Sequence, residues 1–126
     1  MATEHKHLII RAEVNNPIFN KSKGVKFLKK IIKKINMKIM YGPVASYCKV
    51  KGNKGLTAFA IIETSHVAMH IWDEDTPSLF QLDVYTCGPL DKEIIFQELK
   101  DLDPINIEYK YLDREKNLKE IDIEKV

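Results

Sequence analysis

Residues 56–87 read LTAFAIIETSHVAMHIWDEDTPSLFQLDVYTC, and this stretch decides the fold. Apolar residues recur at every second position over Leu56–Glu63, His66–Trp72 and Leu79–Tyr85, the period of a strand with one buried face. Asp73, Asp75 and Pro77 punctuate the second and third runs, and Asn53 and Gly55 precede the first, so three short antiparallel strands are expected. Working outward, Lys6–Val14 also alternates, with Leu8, Ile10, Ala12 and Val14 on one side and His7, Ile9, Arg11 and Glu13 on the other. Ser22 is an N-cap for a helix to about Met37 whose apolar stripe is Val25, Leu28, Ile31, Ile32 and Ile35. Lys38–Tyr41 reads as a strand that resumes beyond Gly42-Pro43. Asp91 caps a second helix over Lys92–Leu102, which Pro104 stops before a last strand, Ile105–Leu112.

Strands in groups with two helices between them predict an α+β fold, a two-layer α/β sandwich with both helices on one face of a largely antiparallel sheet. The other face then needs a cover, and a second copy of the chain, giving a four-layer αββα dimer, is the simplest one. The expected organisation is a single domain over residues 1–112 and a charged C-terminal tail over 113–126, in which Leu118, Ile121, Ile123 and Val126 are free to dock.

With 126 residues, 20 Lys+Arg against 18 Asp+Glu, 44% hydrophobic and 30% charged residues, the chain is too apolar for a disordered protein. Its longest apolar run, Ala58–Ile62, is too short to span a bilayer, so no membrane partner is expected. MATEHKHLII does not have the pattern of a secretory leader, and two cysteines, Cys48 and Cys87, do not make a disulfide scaffold; a cytoplasmic setting is the expectation. Lys29, Lys30, Lys33 and Lys34 lie on one helix face without interleaved aromatics, which reads as a solvated face and predicts no nucleic-acid partner. At this length, an enzyme must make its chemistry from its own residues or share it between subunits.

Thr57–Cys87 concentrates the reactive side chains: Thr57, Glu63, Thr64, Ser65, His66, His70, Glu74, Asp83 and Cys87. His66 and His70 share one face of a strand, without a HExxH pattern or a third ligand at motif spacing, so no metal is expected. Ser65 lacks the Gly-x-Ser-x-Gly surroundings of a nucleophile elbow, and Cys87 lacks the signatures of a thiol hydrolase.

Taken together, IIETSHVAMHIWDEDTPSLFQLDVYTCG, residues 61–88, resembles the core of the small prokaryotic S-adenosylmethionine decarboxylases, which place Ser-His, His-x-Trp-x-Glu and Asp-x-x-Thr-Cys-Gly in that order. The likeness extends more weakly over residues 6–112. The resemblance implies a pyruvoyl-dependent carboxy-lyase made as a zymogen that cuts itself. The Ser65 hydroxyl would attack the carbonyl of Thr64, and elimination would release residues 1–64 and leave a pyruvoyl group derived from Ser65. That group would join the substrate amine as a Schiff base and draw off the electron pair left by carbon dioxide, supplying aminopropyl groups for spermidine and other polyamines. By the same resemblance His70 moves protons during self-cleavage, Cys87 donates a proton to the decarboxylated carbon, Thr57 assists processing and Glu74 binds the ribose diol of S-adenosylmethionine. The family also implies a homodimer with sites at or near the interface.

Two departures stand out. Thr64 occupies the position before the serine where the family has glutamate, which turns Glu63 to the opposite strand face. Between Cys48 and Leu56 no aromatic is available to stack on adenine, with Tyr47 the nearest. They motivate two other readings: a pyruvoyl-dependent ornithine or arginine decarboxylase, and an uncut homologue that binds or regulates.

Overall fold

The structure, a computed structural model, describes residues 4–125. It is an α+β fold in which seven antiparallel strands form one sheet, in the order β2-β3-β4-β5-β1-β6-β7. In chain order the elements are β1 (Lys6–Val14), α1 (Lys21–Lys34), β2 (Ile39–Cys48), β3 (Gly55–Ile62), β4 (Ser65–Trp72), β5 (Ser78–Thr86), α2 (Lys92–Glu98), β6 (Pro104–Asp113) and β7 (Lys119–Lys125), with a short 3-10 turn, Lys100–Leu102, after α2.

Alternation sends one side of each central strand into a single core. Leu8, Ile10, Ala12 and Val14 of β1, Leu56, Ala58, Ala60 and Ile62 of β3, Val67, Met69 and Ile71 of β4, and Phe80, Leu82 and Val84 of β5 are buried there. Leu28, Ile31 and Ile32 of α1 and Ile95 of α2 close over them, so both helices lie on one face. Gly24 lets α1 approach the sheet, because a Cβ there would press on the Leu56 side chain. Gly55 is tighter still: a Cβ would run into the Ile71 carbonyl.

Among the described residues, no helix lies against the opposite face of the sheet. Ile9, Phe59 and Ile61 are 42%, 40% and 45% exposed there, and His66, Ala68, His70 and Trp72 of β4 alternate with its buried residues.

Four expectations are corrected. The α1 cap is Asn20, whose side chain accepts from the Lys23 N–H at 3.2 Å, not Ser22. The helix then ends at Lys34, with Ile35 as its C-cap, rather than near Met37. α2 is shorter than expected and gives way to the 3-10 turn, although Asp91 caps it as expected, accepting from Glu93 N–H at 3.0 Å. The segment after Asp113 turns back as β7 and pairs with β6 instead of trailing away. Leu118 and Ile121 remain 64% and 45% exposed and do not dock, while the Ile123 side chain and Val126 lie outside what the structure describes.

Candidate active site

The turn between β3 and β4 is two residues long, because Ile62 pairs with Ser65 across it. Thr64 carries φ +47° in this turn. A β-branched residue rarely enters the left-handed region, so the strain falls on the residue whose carbonyl precedes Ser65. The Glu63 carbonyl accepts three side-chain donors: Ser65 Oγ at 2.8 Å, Thr64 Oγ1 at 2.9 Å and Cys87 Sγ at 2.9 Å. Ser65 and Cys87, 22 positions apart in sequence, therefore meet at one carbonyl oxygen. Glu63 and Thr64 are exposed, whereas Ser65 is buried on the helix side.

Thr57 and His70 form a second pair. They face each other in the β3–β4 register, and Thr57 Oγ1 lies 2.8 Å from His70 Nδ1. Trp72 stands beside them, its ring centroid 5.8 Å from that of His70 and its indole N–H donating to Asn53 Oδ1 at 2.8 Å. Thr57, His70 and Trp72 line a cavity of about 220 Å³ with Cys48, Asn53 and Leu56. A larger cavity, about 370 Å³, opens beside His70 on the helix-free face, between Ile9, Arg11, Ala68, Gln81 and Asp83.

The two pairs are separate within one chain. Ser65 and His70 are five residues apart on β4, roughly 16 Å at strand rise, and their side chains point to opposite faces.

Glu74 sits in the loop after β4, where its carboxylate accepts Gly52 N–H at 3.0 Å and Lys54 N–H at 3.1 Å. Those backbone hydrogen bonds, Gly52 before Lys54, hold its pKa below the ordinary value near 4.5. It thus staples the loop between β2 and β3, one donor on each oxygen. Tyr47 faces the helix side, packed on the core, and its hydroxyl donates to Asp73 at 2.9 Å. That hydrogen bond is the first cause of a raised Tyr47 pKa, with burial the second.

A third cluster was not visible in the sequence. His7 of β1 and His66 of β4 converge on Asp83 of β5 from its two sides, with both Nε2 atoms directed at Asp83 Oδ1; His7 hydrogen-bonds it and His66 stands 3.4 Å away. Burial raises the Asp83 pKa, but the hydrogen bond and charge of His7, followed by those of His66, outweigh it and leave the carboxyl below its ordinary value. The signal was present in the alternation of β1, which put His7 on the same side as Ile9 and Arg11. Its partners lie 59 and 76 positions away, beyond the reach of a local motif.

These features define an α+β protein with a strained, serine-bearing turn and a separate histidine–threonine pair. The family model for S-adenosylmethionine decarboxylase matches residues 6–115, and the chain belongs to that family. It is 41% identical over 64 residues to the S-adenosylmethionine decarboxylase proenzyme of Pyrobaculum arsenaticum, covering 49% of this chain and 50% of that protein. Against the proenzyme of Pyrobaculum islandicum it is 50% identical over 36 residues, 29% of this chain and 27% of that protein. The matches thus span half or less of the length of these relatives. The crystal structure of the adenosylmethionine decarboxylase from Aquifex aeolicus superposes with a TM-score of 0.68 over 90% of this chain and 92% of that one, at 20% identity, which shows a shared fold.

Proposed function

We propose that the chain is a self-processing S-adenosylmethionine decarboxylase whose reactive carbonyl comes from Ser65. The observation that carries this reading is the Thr64–Ser65 turn: a left-handed β-branched residue, a serine hydroxyl directly after it, and Cys87 within hydrogen-bond reach of the same turn. Such a site fits a pyruvoyl group, because the serine supplies its carbons and the strained peptide is the one to be broken.

Processing uses the chain's own atoms. Ser65 Oγ turns from the Glu63 carbonyl oxygen and bonds to the carbonyl carbon of Thr64, and the C–N bond breaks as the Ser65 nitrogen takes a proton. Loss of the Ser65 Cα proton then expels the Thr64 carboxylate. Hydrolysis of the resulting dehydroalanine by water releases ammonia and leaves the pyruvoyl group on residues 66–126. The pyruvoyl carbonyl supplies an acceptor for the substrate's amine and for the electron pair left by carbon dioxide. The Cys87 thiol, which donates to the Glu63 carbonyl beside the turn, gives the proton to the decarboxylated carbon in this reading.

His70, with Thr57 fixing its Nδ1, is the proton carrier, and the separation from Ser65 gives the second copy a chemical reason. Two chains packed sheet to sheet cover Ile9, Phe59 and Ile61 and supply the His70–Thr57 pair of one copy to the turn of the other. Trp72 beside His70 is the aromatic surface for the adenine ring. Glu74 reaches the ribose diol through lone pairs its two backbone donors leave open. The product is the aminopropyl donor for polyamine synthesis, and a reducing cytoplasm suits the free Cys87 thiol.

The test is carbon dioxide release from carboxyl-labelled S-adenosylmethionine, ornithine and arginine, with Ser65→Ala as control. Release from S-adenosylmethionine alone, abolished in the variant, is expected. Release from ornithine or arginine alone, or from none of them, would overturn the assignment.

A further inference from the structure

The His7–His66–Asp83 cluster lies outside the chemistry assigned above. Its residues come from three adjacent strands, β4-β5-β1, and their side chains share the helix-free face. Tyr85 is the register partner of both His7 and His66, so the two imidazoles stand on either side of its ring, 5.6 and 5.7 Å away by centroid. Asp83, two residues earlier on the same face, presents one oxygen between them. In the single chain His66 and Asp83 are 42% and 41% exposed, while His7 is held at 13%, and in the proposed dimer the cluster faces the second copy across the paired sheets.

We propose that His7, His66 and Asp83 form a binding site for a first-row divalent transition metal, with zinc the reference ion. Two imidazoles and one carboxylate are a donor set that such ions prefer, and that magnesium or calcium does not. The three donor atoms lie within 4.8 Å of one another. Bonds of about 2.0–2.2 Å put donors roughly 3–4 Å apart around the ion, so the two imidazoles close by about an ångström. The strands fix all three Cα positions, and a water held between the paired sheets completes the coordination.

Arg114 opposes the ion and therefore reports on it. Its Nη1 lies 3.4 Å from His7 Nδ1, an arrangement in which Nδ1 accepts and the proton sits on Nε2. Ligation through Nε2 moves that proton to Nδ1, and the guanidinium must then withdraw. Its Cζ already lies 4.1 Å above the Tyr85 ring, which gives it a place to settle. The site also crosses the expected cut, because His7 belongs to residues 1–64 whereas His66 and Asp83 belong to residues 65–126. An ion there clips the two fragments together, and the inference stands whether or not the chain is cut.

Metal-stripped protein is titrated with zinc by calorimetry and with cobalt(II) by visible absorption. One saturable ion per chain is expected, with affinity falling at least about tenfold in Asp83→Asn and in His66→Ala, and unchanged in His5→Ala and His70→Ala. Arg114→Gln should bind more tightly than the parent. His66→Cys guards against loss of folding, because a thiolate ligand adds a charge-transfer band to the cobalt spectrum. No saturable binding, binding indifferent to Asp83 and His66, or a His66→Cys protein without that band would overturn the proposal.

Discussion

Thr64→Gly removes the strain that the β3–β4 turn places on the expected scissile peptide. A β-branched side chain at φ +47° costs about 1–2 kcal/mol, and glycine enters this region freely. If that strain is released as Ser65 bonds to the Thr64 carbonyl, glycine lowers the ground state and raises the barrier by a similar amount. At about 1.4 kcal/mol per tenfold, processing should slow roughly 5- to 30-fold while the folded protein becomes more stable. The assay is the fraction cut against time on denaturing gels, starting from chain made by cell-free synthesis. Thr64→Val, which keeps the branch and loses the Oγ1 hydrogen bond to Glu63, should cleave at least as fast as the parent. Cleavage of Thr64→Gly at or above the parent rate would refute the argument that strain at this residue drives the reaction.

Other consequences are equally direct. Gly55→Ala should destabilise the fold by at least about 3 kcal/mol in denaturant unfolding, because a Cβ overlaps the Ile71 carbonyl and β3 and β4 must separate to admit it. Chains carrying Ser65→Ala should not be cut at all, chains carrying His70→Ala should be cut more slowly by a factor of about 10²–10⁴ for loss of the proposed proton carrier, and co-expression should restore cutting of the His70→Ala chain. Without that rescue, the two copies do not share the reaction. The Glu74 carboxyl, held below its ordinary value near 4.5, contributes its clamp on Gly52 and Lys54 in full above that value and loses it as pH falls through the lowered one. The Gly52 and Lys54 amides should therefore stay protected from exchange at pH 5 and lose protection well below 4.5, and Glu74→Ala should lose it at every pH.

Much of this architecture follows from period-2 alternation, which is strong wherever one strand face is buried and the other is not. β1, β3, β4 and β5 were legible for that reason, and α1 was legible from the 3.6-residue spacing of Leu28, Ile31 and Ile32. β7 was not, because Lys119–Lys125 is an edge strand dominated by charge, with Ile121 and Ile123 as its only apolar residues. β2 was read only in part: Gly42-Pro43 interrupts its pattern, and an edge strand tolerates a proline through a shift of register, here between Tyr41 and Val44. At the N-terminus of α1, Asn20 and Ser22 are both good caps, and two residues of sequence do not choose between them.

The site divides along the same line. Ser65 and Cys87 were named by their order in a motif, yet their meeting at the Glu63 carbonyl depends on the β4–β5 register, which sets His66 against Tyr85 and so brings Cys87, just past the end of β5, beside the turn. Thr57 and His70 are partners because a two-residue turn sets the β3–β4 register, which makes residues whose numbers sum to 127 face each other. The insertion of Thr64 reads in sequence as a displaced glutamate; in three dimensions it also gathers the hydrogen-bond donors on the carbonyl upstream of the expected cut. The proposed chemistry therefore rests on a single peptide bond, Thr64–Ser65.

The intact mass of the purified protein tests it most directly. Two chains are predicted, residues 1–64 ending in a free carboxylate and residues 65–126 beginning with a pyruvoyl group in place of Ser65, with a single mass for Ser65→Ala. One uncut mass for the parent protein, or a cut at Glu63–Thr64, would contradict the account.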